Sequence, residues 1–150
     1  MPSPAFVASK ANLGYGAAFW VGTGSPATYT QMSEINAIVF ADYTVTEIDT
    51  THLASPNTME EAIPGMIKPG TIELTLNYIA DATQAQVDTL AMARTIFPWE
   101  ITGPVSGNKT LTIAGYGFIT KKETGPWEPN KKQDFKVSVR AAGVITWTVA

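Results

Sequence analysis

The chain has 150 residues, is 45% hydrophobic and 15% charged, and carries a formal net charge of -3. One domain with a core of its own fits that length, while the acidic balance argues against a basic grip on nucleic acid phosphates. With no cysteine, disulfides and thiolate chemistry are excluded.

A charged fraction this low, against roughly 25% in typical globular chains, leaves Thr, Ser, Asn, Gln and Gly to cover the surface. It favours sheets with extensive contact between subunits. No basic stretch followed by an apolar one opens the chain, and no apolar run approaches the ~18 residues of a membrane helix. A soluble protein without a membrane partner, retained in the producing cell, is the expectation.

Residues 1–13 contain two prolines and no hydrophobic period, which predicts an extended N-terminal arm before a single domain over 14–150. Tyr15 to Gly22 reads as a first strand, closed by the turn-rich Gly22 to Pro26. Ala27 to Gln31 is a weaker strand. Ile35 to Phe40 is ambiguous between a strand and a helical turn, and Tyr43 to Ile48 alternates as a strand. A long connection follows, over about 49–70. Next, Ile72, Leu74, Leu76 and Tyr78 alternate with Thr71, Glu73, Thr75 and Asn77, the pattern of a strand with one buried face.

The period then changes. Thr83 and Gln86 fit a capping box, and Val87, Leu90, Ala91 and Arg94 follow at helical spacing, so a helix is predicted over 84–95. Its thin apolar stripe makes it an accessory to a sheet. The rest reads as strand and turn: Phe97 to Thr102, turns at Gly103-Pro104 and Ser106 to Lys109, Thr110 to Thr120, a polar loop from Lys121 to Gln133, and Asp134 to Ala142. Gly143 is expected to turn the chain into a last strand, Val144 to Val149. The predicted fold is mainly β: two packed antiparallel sheets forming a β-sandwich or squashed barrel, with one flanking helix.

Catalytic parts are scarce, and no cofactor or metal site is expected. His52 is the sole histidine; beside Asp49 it offers a base with an orienting acid, yet no placed nucleophile accompanies it. Adjacent Glu60 and Glu61 diverge in any regular element and do not form an acid and base pair. Gly14-Tyr-Gly16 lacks the third glycine and the βαβ frame of a dinucleotide site, and Asn108-Lys-Thr110 reads as a turn. Gly115-Tyr-Gly-Phe-Ile119 is similar to the base-stacking strand of RNA-recognition motifs. Ala114 and Lys121, however, stand where that pattern wants a basic residue and an aromatic.

The connection over 49–70 is too long for an ordinary loop and too apolar for a disordered one, since Leu53, Met59, Ile63, Met66 and Ile67 punctuate it. Something must cover them. Glu47-Ile-Asp-Thr50, the segment ending Glu61-Ala-Ile-Pro-Gly-Met66, Pro69-Gly70 and the strand from Thr71 to Tyr78 together resemble the major tail tube proteins of long-tailed, non-contractile bacteriophages. The likeness runs closely over about residues 40–102, including a strand with an aromatic such as Trp99, and elsewhere only in strand order and length.

That resemblance implies a virion structural protein without enzymatic activity, assembled as hexameric rings stacked into a hollow tube. Implied partners are further copies of the chain, the tape measure protein in the lumen, tail-tip and terminator proteins, and DNA in transit. Assembly in the host cytoplasm precedes residence in the tail. On this reading Leu53, Met59, Ile63, Met66 and Ile67 contact a neighbouring subunit or ring, and Thr71, Glu73, Thr75 and Asn77 line the lumen. Two alternatives stand beside it: the inner tube of a type VI secretion system, and a monomeric β-sandwich binding carbohydrate or another ligand, with Trp127 in Gly125 to Pro129 as its platform.

Overall fold

The computed structural model describes residues 16–40 and 42–150; the expected N-terminal arm lies outside them. Nine strands are described: β1 (Ala18–Thr23), β2 (Thr28–Gln31), β3 (Ile35–Val39), β4 (Tyr43–Asp49), β5 (Ala62–Pro69), β6 (Thr71–Asn77), β7 (Phe97–Val105), β8 (Lys109–Thr124) and β9 (Asp134–Val149). One α-helix, α1 (Ala82–Ala93), accompanies them.

Seven strands form one antiparallel sheet in the order β2-β1-β7-β8-β9-β6-β3, and β4 and β5 form a separate hairpin. Strands β8 and β9 are each 16 residues long. The first half of β8 pairs with β7 and with the last part of β9; its second half pairs with the start of β9, which also pairs with β6. The sheet therefore folds over along these two strands. Its buried cluster joins Phe19, Val21, Trp99 and Ile101 from one half to Ile72, Leu74, Leu76, Val137 and Val139 from the other. The result is the expected sandwich with a flanking helix.

Trp99 anchors that core. Its indole is fully buried, stacks on Phe19 at 6.4 Å and 14°, and lies against the backbone of β8, where only glycine leaves room. A Cβ on Gly115 would sit 3.1 Å from the indole; one on Gly117 would sit 3.1 Å from Nε1 and 2.6 Å from the Arg140 carbonyl oxygen. The Gly-Tyr-Gly pattern thus has a packing cause.

Three expectations are corrected. The connection predicted over 49–70 contains β5, paired with β4 from Asp49↔Ala62 to Tyr43↔Pro69 with a shift of register between Val45 and Glu47; the true loop is the tip from Thr50 to Glu61, with one 3-10 turn at Pro56–Thr58. Prolines hid the strand, because Pro64 and Pro69 can sit where no ladder donor is needed. Gly143, at φ 80°, does not end β9. Between Ala114 and Tyr116 of β8 the partner shifts from Thr146 to Ala142, so the glycine sits in a bulge and the strand runs on. Gly103 and Pro104 likewise continue β7.

The helix also starts earlier than expected. Asp81 is the N-cap, its Oδ1 accepting from the Gln84 N–H at 3.0 Å. Gln84, not Gln86, reaches back: its Oε1 accepts from the N–H groups of Ile79 and Ala80, and its Nε2 donates to the Asn77 carbonyl. Thr83 instead donates to Asp81, which also receives the Ser33 hydroxyl at 2.6 Å. Lys122 binds Asp88 at 2.8 Å, tying the helix to β8. Among helix residues only Gln84 and Val87 are buried, which fits an accessory role.

Two outcomes follow from this packing. Gly117→Ala destabilises the protein by about 1–3 kcal/mol, since the added methyl meets backbone; urea denaturation measures it. The hydroxyl of Ser33, then the Gln84 N–H and the Thr83 hydroxyl, hold the Asp81 carboxyl below its ordinary pKa. A carboxyl lowered in the folded state stabilises above its unfolded pKa and loses that contribution as pH falls through the folded value. Asp81→Ala therefore lowers the melting temperature at neutral pH, and the gap narrows in acid; thermal scans from neutral to strongly acid pH read this.

Candidate assembly surface

Gly70 separates two chemically different stretches of chain. After it, β6 buries Ile72, Leu74 and Leu76 completely. Before it, the β4–β5 hairpin leaves every residue of β4 exposed and nearly all of β5. Gly70 is held between them by its N–H to the Asp42 carbonyl and by its own carbonyl, which accepts from Ala141. A Cβ there would meet the Asp42 oxygen at 2.5 Å, so the close approach requires glycine.

All five apolar residues expected at an interface are exposed, from 51% for Ile63 to 81% for Met66, with Leu53 fully so. Leu53 and Met59 lie in the tip. Ile63 stands opposite Ile48, and Ile67 opposite Val45. The structure adds residues that the sequence pattern did not single out, Tyr43, Val45 and Ile48 on β4 and Val144 and Val149 on β9, and sets Trp147 beside them, all exposed. Tyr43, Ile67 and Pro69 face Gly143, Val144, Ile145 and Trp147 across a groove of about 860 Å³. Trp147 pairs with the buried Ile113 and so lies on the core side of its sheet, yet it is half exposed. An apolar surface of this extent marks a place of contact with another molecule.

Thr71, Glu73, Thr75 and Asn77 occupy the face of β6 turned away from the core. In register beside them on β9 stand Arg140, Ser138, Lys136 and Asp134, and beyond those, on β8, Phe118, Lys121 and Glu123. Three carboxylates, Glu73, Glu123 and Asp134, thus meet three cations, Lys121, Lys136 and Arg140, in a polar wall of balanced charge. Asn77 is fixed in it, accepting from Asn36 at 2.8 Å and donating to Glu34 at 2.9 Å.

The remaining motifs resolve as structure. His52 pairs with Glu61 (3.3 Å), not with Asp49, and its Nδ1 accepts from the Ala54 N–H. Ser55 donates to the same Glu61 oxygen at 2.7 Å. Asp49 accepts from the Thr51 N–H, and hydrogen bonding from Thr51 keeps its carboxyl below the ordinary range. These bonds shape the hairpin tip. Trp127 packs on Tyr78 (5.4 Å) and donates to the Asp134 carbonyl, while remaining half exposed. Among the described residues no group of three or more His, Cys, Asp or Glu is placed to hold a metal.

The tail of an empty gene transfer agent particle with C6 symmetry superposes with a TM-score of 0.73 at 13% identity, over 91% of this chain and 98% of that one. The chain has the tail-tube fold. The SPP1 tail tube matches at 0.68 and 15% identity, covering 90% of this chain and 77% of its own. The tail-tube fold recurs in an extracellular contractile injection system, whose PVC sheath-tube complex in the extended state matches at 0.62 and 11% identity over 88% of each chain. No family model and no curated protein matches the sequence.

Exposed ladder hydrogen bonds and few packed side chains predict low local stability in a hairpin. In the free monomer, backbone amides of residues 43–69 exchange much faster than those of β6 to β9. Hydrogen-exchange mass spectrometry checks this, and equal protection of the two regions would contradict it.

Proposed function

We propose that this chain is a structural subunit that polymerises with its own copies, as stacked hexameric rings, into the hollow tail tube of a long-tailed phage. One observation carries the reading: on a tail-tube fold, an apolar hairpin stands exposed beside its own domain, and none of the described residues covers it. Burying a large aliphatic side chain contributes roughly 1.5–3 kcal/mol, so five such residues supply a strong drive to associate.

The balanced polar face of β6, β9 and β8 suits a lumen wall. A channel for DNA must not retain it, and each cation bound to a phosphate is a contact to break in passage. Here every cation has a carboxylate on the same face. The tape measure protein occupies that lumen during assembly, in the host cytoplasm, and tip and terminator proteins close the ends. No catalytic step is part of this role.

A tube enclosed by a contractile sheath is the second reading, favoured by the likeness to contractile injection system tubes. A ligand-binding module is less well supported, since Trp127 is already engaged by Tyr78 and the Asp134 carbonyl.

Negative-stain microscopy of the purified protein tests the proposal, rings or tubes being the expected result. The double variant Ile63→Asp with Met66→Asp keeps the circular dichroism spectrum of the wild type and forms no tubes. Normal polymerisation by that variant would remove the hairpin from the interface.

A further inference from the structure

The charges of this chain are sorted by position. Residues 42–61, the first arm and tip of the hairpin, carry five carboxylates (Asp42, Glu47, Asp49, Glu60 and Glu61) and no lysine or arginine. Residues 121–140, the end of β8, its turn and the start of β9, carry six of the ten basic residues against three acids. Lys121, Lys136 and Arg140 belong to the balanced polar wall and Lys122 is paired with Asp88, so the basic excess lies with Lys131 and Lys132 in the loop.

The two regions lie at opposite ends of one run of chain. The hairpin tip closes the start of β5. At the far end of β6 the loop 125–133 is fastened alongside, with the Tyr78 N–H donating to the Gln133 carbonyl and Gly125 to Asp134. That loop shapes a recess of about 340 Å³ lined by Gly125, Pro126, Lys131, Lys132, Asp134 and Lys136. Lys131 is engaged only by the exposed Glu128 at 2.7 Å, a pairing of little energetic weight. Lys132 and Lys136 have no ion pair among the described residues. Glu47, near the end of β4, and Glu60, in the tip, likewise have no ion pair among the described residues; the tip also exposes Leu53 and Met59, matched at the basic end by the half-exposed Trp127.

We infer that the hairpin tip of one copy docks in the lysine-lined recess of the next, the carboxylates of the tip facing Lys131 and Lys132 while Leu53 and Met59 meet the Trp127 loop. The inference rests on the tube reading and names the receiving surface. A second copy is the occupant because the chain itself carries both halves of the match. Pairing hairpin to hairpin sets carboxylate against carboxylate, and pairing the two basic ends sets lysine against lysine. Only the head-to-tail contact joins unlike charges. It is heterologous, leaving a free tip at one end and a free recess at the other, so it repeats without closing on a pair. Complementary charge also selects this orientation during encounter and makes assembly weaken as salt is raised.

Charge exchange tests it. The variant Glu47→Lys with Glu60→Lys and the variant Lys131→Glu with Lys132→Glu are each expected to lose tube formation alone. Mixed in equal amounts they recover it, because each then offers the tip that the other's recess requires. Tubes from each variant alone, as abundant as those of the wild type, would overturn the docking and leave the tube reading standing.

A second readout does not need tubes. In a chain without cysteine, Glu60→Cys and Lys132→Cys proteins, mixed and oxidised, should give mainly the mixed disulfide. Predominance of either like-to-like disulfide, or no crosslink above the level of denatured chains, would refute the docking. The mixed disulfide from a protein that forms neither rings nor tubes would keep the docking and dismiss the tube.

Discussion

The contact between the Trp99 indole and two glycines of β8 is the constraint on which the rest of the molecule depends. A buried ring that large needs depth, and the sheet supplies it by omitting side chains at Gly115 and Gly117. Strand β8 then passes close over the indole and continues far enough to serve both layers. Its partner β9 does the same. Because the two layers share these strands, the core closes without a second independent sheet, and the β4–β5 ribbon is released from any part in building it. Among the described residues the indole N–H has no hydrogen-bond partner, a cost of roughly 1–3 kcal/mol for a buried donor, accepted beside the area that the ring removes from water.

The surface of the molecule divides along the same line. Where strands belong to the core, their outer faces are polar and balanced in charge. Where the chain leaves the core, at the hairpin and in the last residues of β9, apolar groups are exposed on both sides of one groove. A monomer optimised for its own stability would not carry Val144 or Met66 at 81% exposure. Such a distribution belongs to a surface that is completed by contact with another molecule.

Legibility in the sequence followed the physics of each element. The strand from Thr71 to Asn77 was evident because one face is wholly buried and the other, half-buried to exposed, is polar throughout, which leaves a two-residue period. The helix was evident by its period but not by its start. Asp81 competes with Thr83 as a cap, and the choice was made by Ser33, 48 positions away in the chain. Strand β5 was invisible because an exposed two-stranded ribbon needs no alternation, and its prolines argued against pairing. The continuity of β9 through Gly143 was invisible because a bulge and a turn use the same residue. The five apolar interface candidates were legible as a misfit of composition. Their counterparts on β9 were not, since a tryptophan within a strand, such as Trp147, reads equally as core or as a subunit contact; its exposure in the structure separates the two.

Gly70 gives the hairpin a joint of backbone alone. The fastening to Asp42 and Ala141 uses main-chain groups and no side chain of the hairpin, so side-chain changes along Tyr43 to Pro69 do not remove it. The core and the exposed hairpin are thereby written in separate stretches of the chain. The hairpin's surface can change without repair of the core, and likeness of fold can persist at the 11–15% identity that separates this chain from the solved structures it resembles.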